Sequence, residues 1–211
     1  TETHRTNRTN PPLTPSPTHT TVVAWEECRT VILREYFECD YEWVGTCEYY
    51  REEYGYDEDD LLVLVFIARW ARISLHEVCL SYERSQYNLF SVALIYRMGG
   101  DEFFVDIDRR TQCPPAYARA YGFYWKGARG YALTNEECRY LVHLRIGVHY
   151  YGFTAVDWFQ RSEKRSCREV LVSEPERCGQ GKVSYRLGTG VRVVRPWTSS
   201  EDKRLCDQDR R

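Results

Sequence analysis

The stretch Leu61–Val105 decides the fold. It reads LLVLVFIARWA (61–71), RISLHEVCLSYERS (72–85), QYNLFSVALIYRMGG (86–100) and DEFFV (101–105). Leu61 to Ala71 is almost wholly apolar, yet too short to span a bilayer, which needs roughly 20 residues. A helix buried in a core fits it. Asp57 to Asp60 places negative charge at its N-terminus, where the helix dipole favours it. Ser74-Leu75-His76-Glu77 is a capping box: the serine accepts from the third helical amide and the glutamate reaches back. Val78, Cys79 and Tyr82 then form one apolar stripe. Asn88 can cap the next helix, in which Phe90, Val92, Ala93, Leu94 and Tyr96 keep a helical period. Gly99-Gly100 is expected to stop it, since glycine takes the left-handed conformation cheaply. Phe103-Phe104-Val105 reads as a short buried extended segment.

Working outward, weaker copies of this unit flank it. In the first, near 31–60, Val31 to Phe37 reads as a helix, and Asp40 can cap a second one carrying Trp43, Val44, Cys47 and Tyr50. Cys47 and Tyr50 stand at the same offset from Cys79 and Tyr82. Glu48 to Asp60 is acidic with interleaved tyrosines and reads as a solvated face. The third copy, near 134–172, opens on the capping box Thr134-Asn135-Glu136-Glu137. Thr154 and Ser166 start further helices. Val156 and Phe159 take the places of Cys79 and Tyr82. Units that cannot bury their faces alone must stack into a shared core. The expected fold is mainly α: irregular helical-hairpin repeats around one core in a domain spanning 22–172, with the central copy at 61–105. A long aromatic loop over 106–133 interrupts the repeats, because Cys113-Pro114-Pro115 cannot sit in the middle of a helix. Residues 1–21 are rich in Thr, Pro and Asn and read as a flexible arm, with one glycosylation triplet at Asn7-Arg8-Thr9. Residues 173–211 read as a small β hairpin (Lys182 to Leu187 with Val191 to Val194) and a polar tail.

Composition narrows the function classes. The 211 residues are 43% hydrophobic and 15% aromatic, ample for a core, with a formal net charge of -2. That balance argues against a dedicated nucleic-acid binder. Asn88 to Gly99 resembles the first half of a helix-turn-helix, but Phe103 to Val105 and a proline-bearing stretch follow where a recognition helix should be. The chain has nine cysteines and no CxxC pair, which removes support for zinc ribbons and thioredoxin-like motifs. Their scattered spacing fits disulfides in an oxidising compartment. The candidates are Cys28, Cys39, Cys47, Cys113, Cys138, Cys167, Cys178 and Cys206; Cys79, on an apolar stripe, reads as a buried small residue. The chain does not begin with Met and carries neither an apolar signal segment nor a membrane span. A processed, exported protein (periplasmic, envelope or extracellular) would look like this.

No catalytic set emerges. His143 and His149 are six apart, poor spacing for one helix face. A Cys138–His143 nucleophile pair lacks a third, orienting group. The carboxylates at Asp57 to Asp60 and Asp106-Ile107-Asp108 match no calcium loop, and nothing calls for a metal or another cofactor. The residues singled out for partner or ligand contact are Tyr117, Arg119, Tyr121, Tyr124, Trp125, Lys126 and Tyr131. Aromatics with cations can stack sugar rings or unpaired bases; the plainer alternative is a loop pinned by its aromatics onto the core.

Taken together, VLVFIARWARIS, HEVCLSYERS, NLFSVALIYRMGGDEFFV, PPAYARAYGFYWK, LTNEECRYLVHLRIGVHYYGF and AVDWFQRSEKRSCREVLV resemble a family of bacterial helical-repeat proteins, mostly exported, with a PPYGxAYGY-type loop. The likeness covers roughly Val31 to Val172. That family carries no assigned activity, so the resemblance transfers no functional residue, and the many cysteines depart from it. The expected function is a non-enzymatic structural or protein-interaction protein of the cell envelope or exterior, acting through a protein partner or self-assembly. The alternatives are a glycan or single-stranded nucleic-acid binder using 117–131, and an enzyme of unknown type.

Overall fold

A computed structural model describes residues 19–127 and 130–177. These residues are mainly helical, with nine α-helices and no strand among them. The helices are α1 (His19–Val31), α2 (Tyr41–Tyr54), α3 (Glu58–Ala71), α4 (Leu75–Arg84), α5 (Leu89–Ile95), α6 (Pro115–Trp125), α7 (Asn135–His149), α8 (Ala155–Ser162) and α9 (Cys167–Val172). A π-helical turn, Ile32–Tyr36, continues α1. No helix among the described residues is long and apolar enough to cross a membrane. The arm at 1–18 and the expected hairpin and tail beyond 177 lie outside the described residues.

Helices α3 and α7 pack on each other at the centre. Around α3 stand α2, α4 and α5; around α7 stand α6, α8 and α9, and α1 closes the bundle against α9. The sequence explains why α3 is central. Every residue from Asp60 to Ala68 is buried, so the helix is covered on all sides, as a helix apolar all round must be. Each large apolar side chain buried there is worth about 1.5–3 kcal/mol.

The starts are set locally, where they were expected. Asp40, Ser74 and Asn88 accept from the backbone amides of Trp43, Glu77 and Ser91. Thr134, Thr154 and Ser166 each form a full capping box, with Glu137, Asp157 and Glu169. The ends are less regular. Helix α5 stops before Gly99-Gly100: the chain turns at Arg97, whose φ is 60°. Arg72 ends α3 the same way at φ 58°. Phe103 closes a 3₁₀ turn and Phe104 is extended, so Phe103 to Val105 is buried without forming a strand. Of the positions expected to correspond between copies, Cys47, Cys79, Tyr50 and Tyr82 are all buried, whereas Val156 is 46% exposed. Phe159 is buried.

Candidate interaction surface

The aromatic stretch is a helix rather than a loop. Pro114 caps α6 and Pro115 occupies its first turn, where a missing N–H costs nothing. Tyr117, Ala120, Tyr121 and Tyr124 then fall three, four and seven apart, one face. Tyr117 and Tyr121 are buried in the core. The Tyr117 hydroxyl accepts from Trp158 Nε1 at 2.8 Å, and the Tyr121 hydroxyl donates to the Val105 carbonyl at 2.9 Å. Tyr124 stacks on Phe104 with ring centres 4.4 Å apart, and Trp125 leans on Tyr121. Arg119 and Tyr131 are the residues of the expected platform that meet at the surface. Arg119 lies over the Tyr131 ring, and both bond to Glu137, at 2.8 and 2.7 Å. Phe123 stacks on Tyr131. Lys126 is exposed at the end of α6. Most of the stretch therefore anchors α6 to the core.

The expected disulfides are not present among the described residues: no two of Cys28, Cys39, Cys47, Cys79, Cys113, Cys138 and Cys167 are joined. Cys178 and Cys206 lie outside those residues. Cys39, Cys47, Cys138 and Cys167 are buried, as Cys79 is, and behave as small apolar residues. Burial pushes Cys39, Cys47 and Cys167 up to about 12 and also raises Cys79 and Cys138. A thiol so protonated is a poor nucleophile.

The feature that sequence reading missed is the set of partners of the acidic run. Asp57 caps α3, and the carboxylates after it tie five other helices to its N-terminus. Glu58 accepts from Trp25 Nε1 of α1 at 2.6 Å and faces Arg51 of α2 at 3.5 Å. The buried Arg29 of α1 pairs with Glu48 and reaches Glu58 at 3.5 Å. Arg168 of α9 meets Asp59 at 2.8 Å, Glu58 at 3.0 Å and Asp57 at 3.4 Å. Asp60 accepts two bonds from Arg139 of α7, at 2.7 and 2.9 Å, and one from the Tyr82 hydroxyl of α4 at 2.8 Å.

His143 belongs to the same hub. Its Nδ1 lies 2.9 Å from the Arg139 carbonyl, an acceptor, so Nδ1 carries the proton. Its Nε2 faces the Asp59 carboxylate at 3.4 Å, a contact that is attractive only when the ring holds a second proton. Burial raises the Asp59 carboxyl, but His143 and Arg168 more than offset it and hold the group below the ordinary 3.8. Burial, with the Arg145 charge, pushes His149 down to about 2. It stays neutral in an apolar setting.

A second cluster reaches the surface. Tyr49, Tyr50 and Tyr54 of α2, Tyr56 after it, Tyr82 of α4 and Tyr87 in the turn after α4 form one run of rings. Consecutive centres lie 5.1 to 5.5 Å apart along Tyr54–Tyr50–Tyr56–Tyr82–Tyr87. Tyr82 and Tyr87 meet edge to face at 90°, the arrangement that ring quadrupoles favour. Tyr50, Tyr56 and Tyr82 are buried, while Tyr49, Tyr54 and Tyr87 are 50%, 51% and 55% exposed. The buried rings are fixed: Tyr50 bonds His76 Nδ1 at 2.6 Å and Tyr56 donates to Glu83 at 2.9 Å. Glu52 and Glu53 are exposed beside them. The segment expected to be a solvated face is a rigid aromatic patch with an acidic rim.

A scan against protein-family models, a search of the curated proteins and a search of the solved structures each found no match for this chain.

Proposed function

We propose that this is a non-enzymatic structural or protein-interaction protein of the cell envelope or exterior, and that its contact surface is the tyrosine patch of α2 and α4. The observation that carries the reading is three half-exposed tyrosines locked against three buried ones. Tyrosine is enriched at protein interfaces because a rigid ring offers apolar area and a polar tip at little entropic cost. The acidic rim selects the partner's chemistry. Glu53 and Glu83 beside aromatic faces suit an arginine-bearing segment, which can pair with carboxylates and lie flat on rings; Glu52 is already paired with Arg51. Among the described residues, His149 and the five buried thiols are packed in the core, and Asp59 and Asp60 are held in ion pairs.

The test is a titration of the native protein with an arginine-rich and with a glutamate-rich labelled peptide. The comparison variant carries Tyr49→Ser, Tyr54→Ser and Tyr87→Asn. Asparagine suits position 87 because its φ is 59°, a conformation Asn tolerates. The arginine-rich peptide should bind saturably to the native protein, weaken with added salt, and lose its affinity for a variant whose circular dichroism is unchanged. Equal binding to native protein and variant, or no saturable binding at all, would overturn the reading.

A further inference from the structure

A cleft of about 330 Å³ opens between the start of α6, the outer face of α7 and the α8–α9 turn. Its volume lies at the lower end of small-molecule sites. Ala116 and the half-buried Tyr140 ring supply the apolar part of the lining; Pro114 and Tyr117 border the cleft but are buried. His143, only 3% exposed at its side chain, is part of the lining, and its Nε2 makes no hydrogen bond. The cations lining the cleft are not equivalent. Arg168 gives all three of its nitrogens to Asp57, Glu58 and Asp59. Arg139 gives two to Asp60 and keeps Nη1. Arg165 pairs with no carboxylate among the described residues, and the Tyr140 hydroxyl has no hydrogen-bond partner among them. Glu136 and Asp59, also in the lining, oppose a second negative charge; Asp59 is itself paired with Arg168.

We infer that this cleft binds a small organic monoanion: a carboxylate held by Arg165, Arg139 Nη1 and the Tyr140 hydroxyl, carried on a planar apolar body that lies against Ala116 and the half-buried Tyr140 ring. The wall excludes a fully hydrated inorganic ion as the best ligand, and the single uncommitted cation beside Glu136 disfavours a dianion. The site is independent of the tyrosine patch, and neither Arg165 nor Tyr140 takes part in the acidic hub.

The probe is benzoate, titrated into the whole protein by heteronuclear NMR, with benzamide and inorganic phosphate as comparisons. Benzoate should shift resonances of α7 and the α8–α9 turn saturably, and more tightly than either comparison. Arg165→Ala should weaken it about tenfold or more, the effect of removing a charge-assisted hydrogen bond. Tyr140→Phe should weaken it several-fold, and Arg165→Lys should restore part of the loss. Arg165 is exposed, so its replacement leaves folding intact. The inference is overturned if benzoate fails to saturate, if benzamide or phosphate binds as well as benzoate, or if Arg165→Ala binds benzoate like the native protein.

Discussion

Gly147→Ala should unfold this protein more easily than almost any other single methyl group added to it. Gly147 lies inside α7, directly against the Trp158 ring of α8. A Cβ at position 147 would stand 2.2 Å from Trp158 Cε3 and 2.5 Å from Cζ3. Trp158 is fully buried, so the ring must be displaced by about an ångström into a packed core, where overpacking costs about 1–3 kcal/mol. Displacement also breaks the bond from Trp158 Nε1 to the Tyr117 hydroxyl, worth about 1 kcal/mol. Alanine returns about 1 kcal/mol of helix propensity. With overpacking near the top of its range, the net loss is about 2–3 kcal/mol. Urea unfolding followed by tryptophan fluorescence reads this as a lower midpoint at an unchanged slope. Gly45→Ala and Gly122→Ala are the controls: both sit in helices with no atom within 4 Å of the added carbon, so each should stabilise by up to about 1 kcal/mol. A Gly147→Ala midpoint at or above the native one would refute the packing of α7 on α8.

Arg139→Gln should cost about 2–3 kcal/mol in the same assay, because it leaves the buried Asp60 carboxylate with Tyr82 as its remaining partner; Arg139 is 32% exposed, which keeps the loss below that of a fully buried pair. Asp60→Asn on that background should recover part of it, and a double variant as unstable as the sum of the singles would contradict the pairing. Stability should fall with acid in two stages. His149 binds its proton in the unfolded chain below the ordinary 6.5 but in the native protein only near 2, so stability drops as pH falls below 6.5, by at most about 1.4 kcal/mol per pH unit. Asp59, lowered from 3.8, adds a second loss as pH falls below that value. His149→Gln should flatten the curve between pH 6.5 and 4, and an unchanged curve would count against a buried neutral His149. Among the described thiols, Cys113 should react with a disulfide reagent in the native state and the five buried ones only on unfolding; full reactivity of those five without denaturant would contradict the core.

What was legible in the sequence was local. Caps at Asp40, Ser74, Asn88, Thr134, Thr154 and Ser166 depend on side chains within three residues of the amides they bind, so the sequence displays them directly. The burial of α3 follows from its unbroken apolar run. The long-range pairings were hidden. Asp59 and Arg168 meet across more than a hundred positions, and nothing in either segment marks the other. The acidic run could be read only as a dipole effect, and the tyrosines beside it only as a surface. Helix α6 was misread for a different reason. Its start at Cys113-Pro114-Pro115 suggested a loop, although the spacing of Tyr117, Ala120, Tyr121 and Tyr124 was already helical. The cysteines show the limit of composition: scattered spacing fits buried thiols as well as it fits a disulfide framework.

The proposed contact surface is tested most directly by hydrogen–deuterium exchange on the native protein with and without saturating arginine-rich peptide. Protection confined to residues 49–56 and 76–87 is the expected result. Protection centred on 116–131 instead, or none anywhere at saturation, would contradict it.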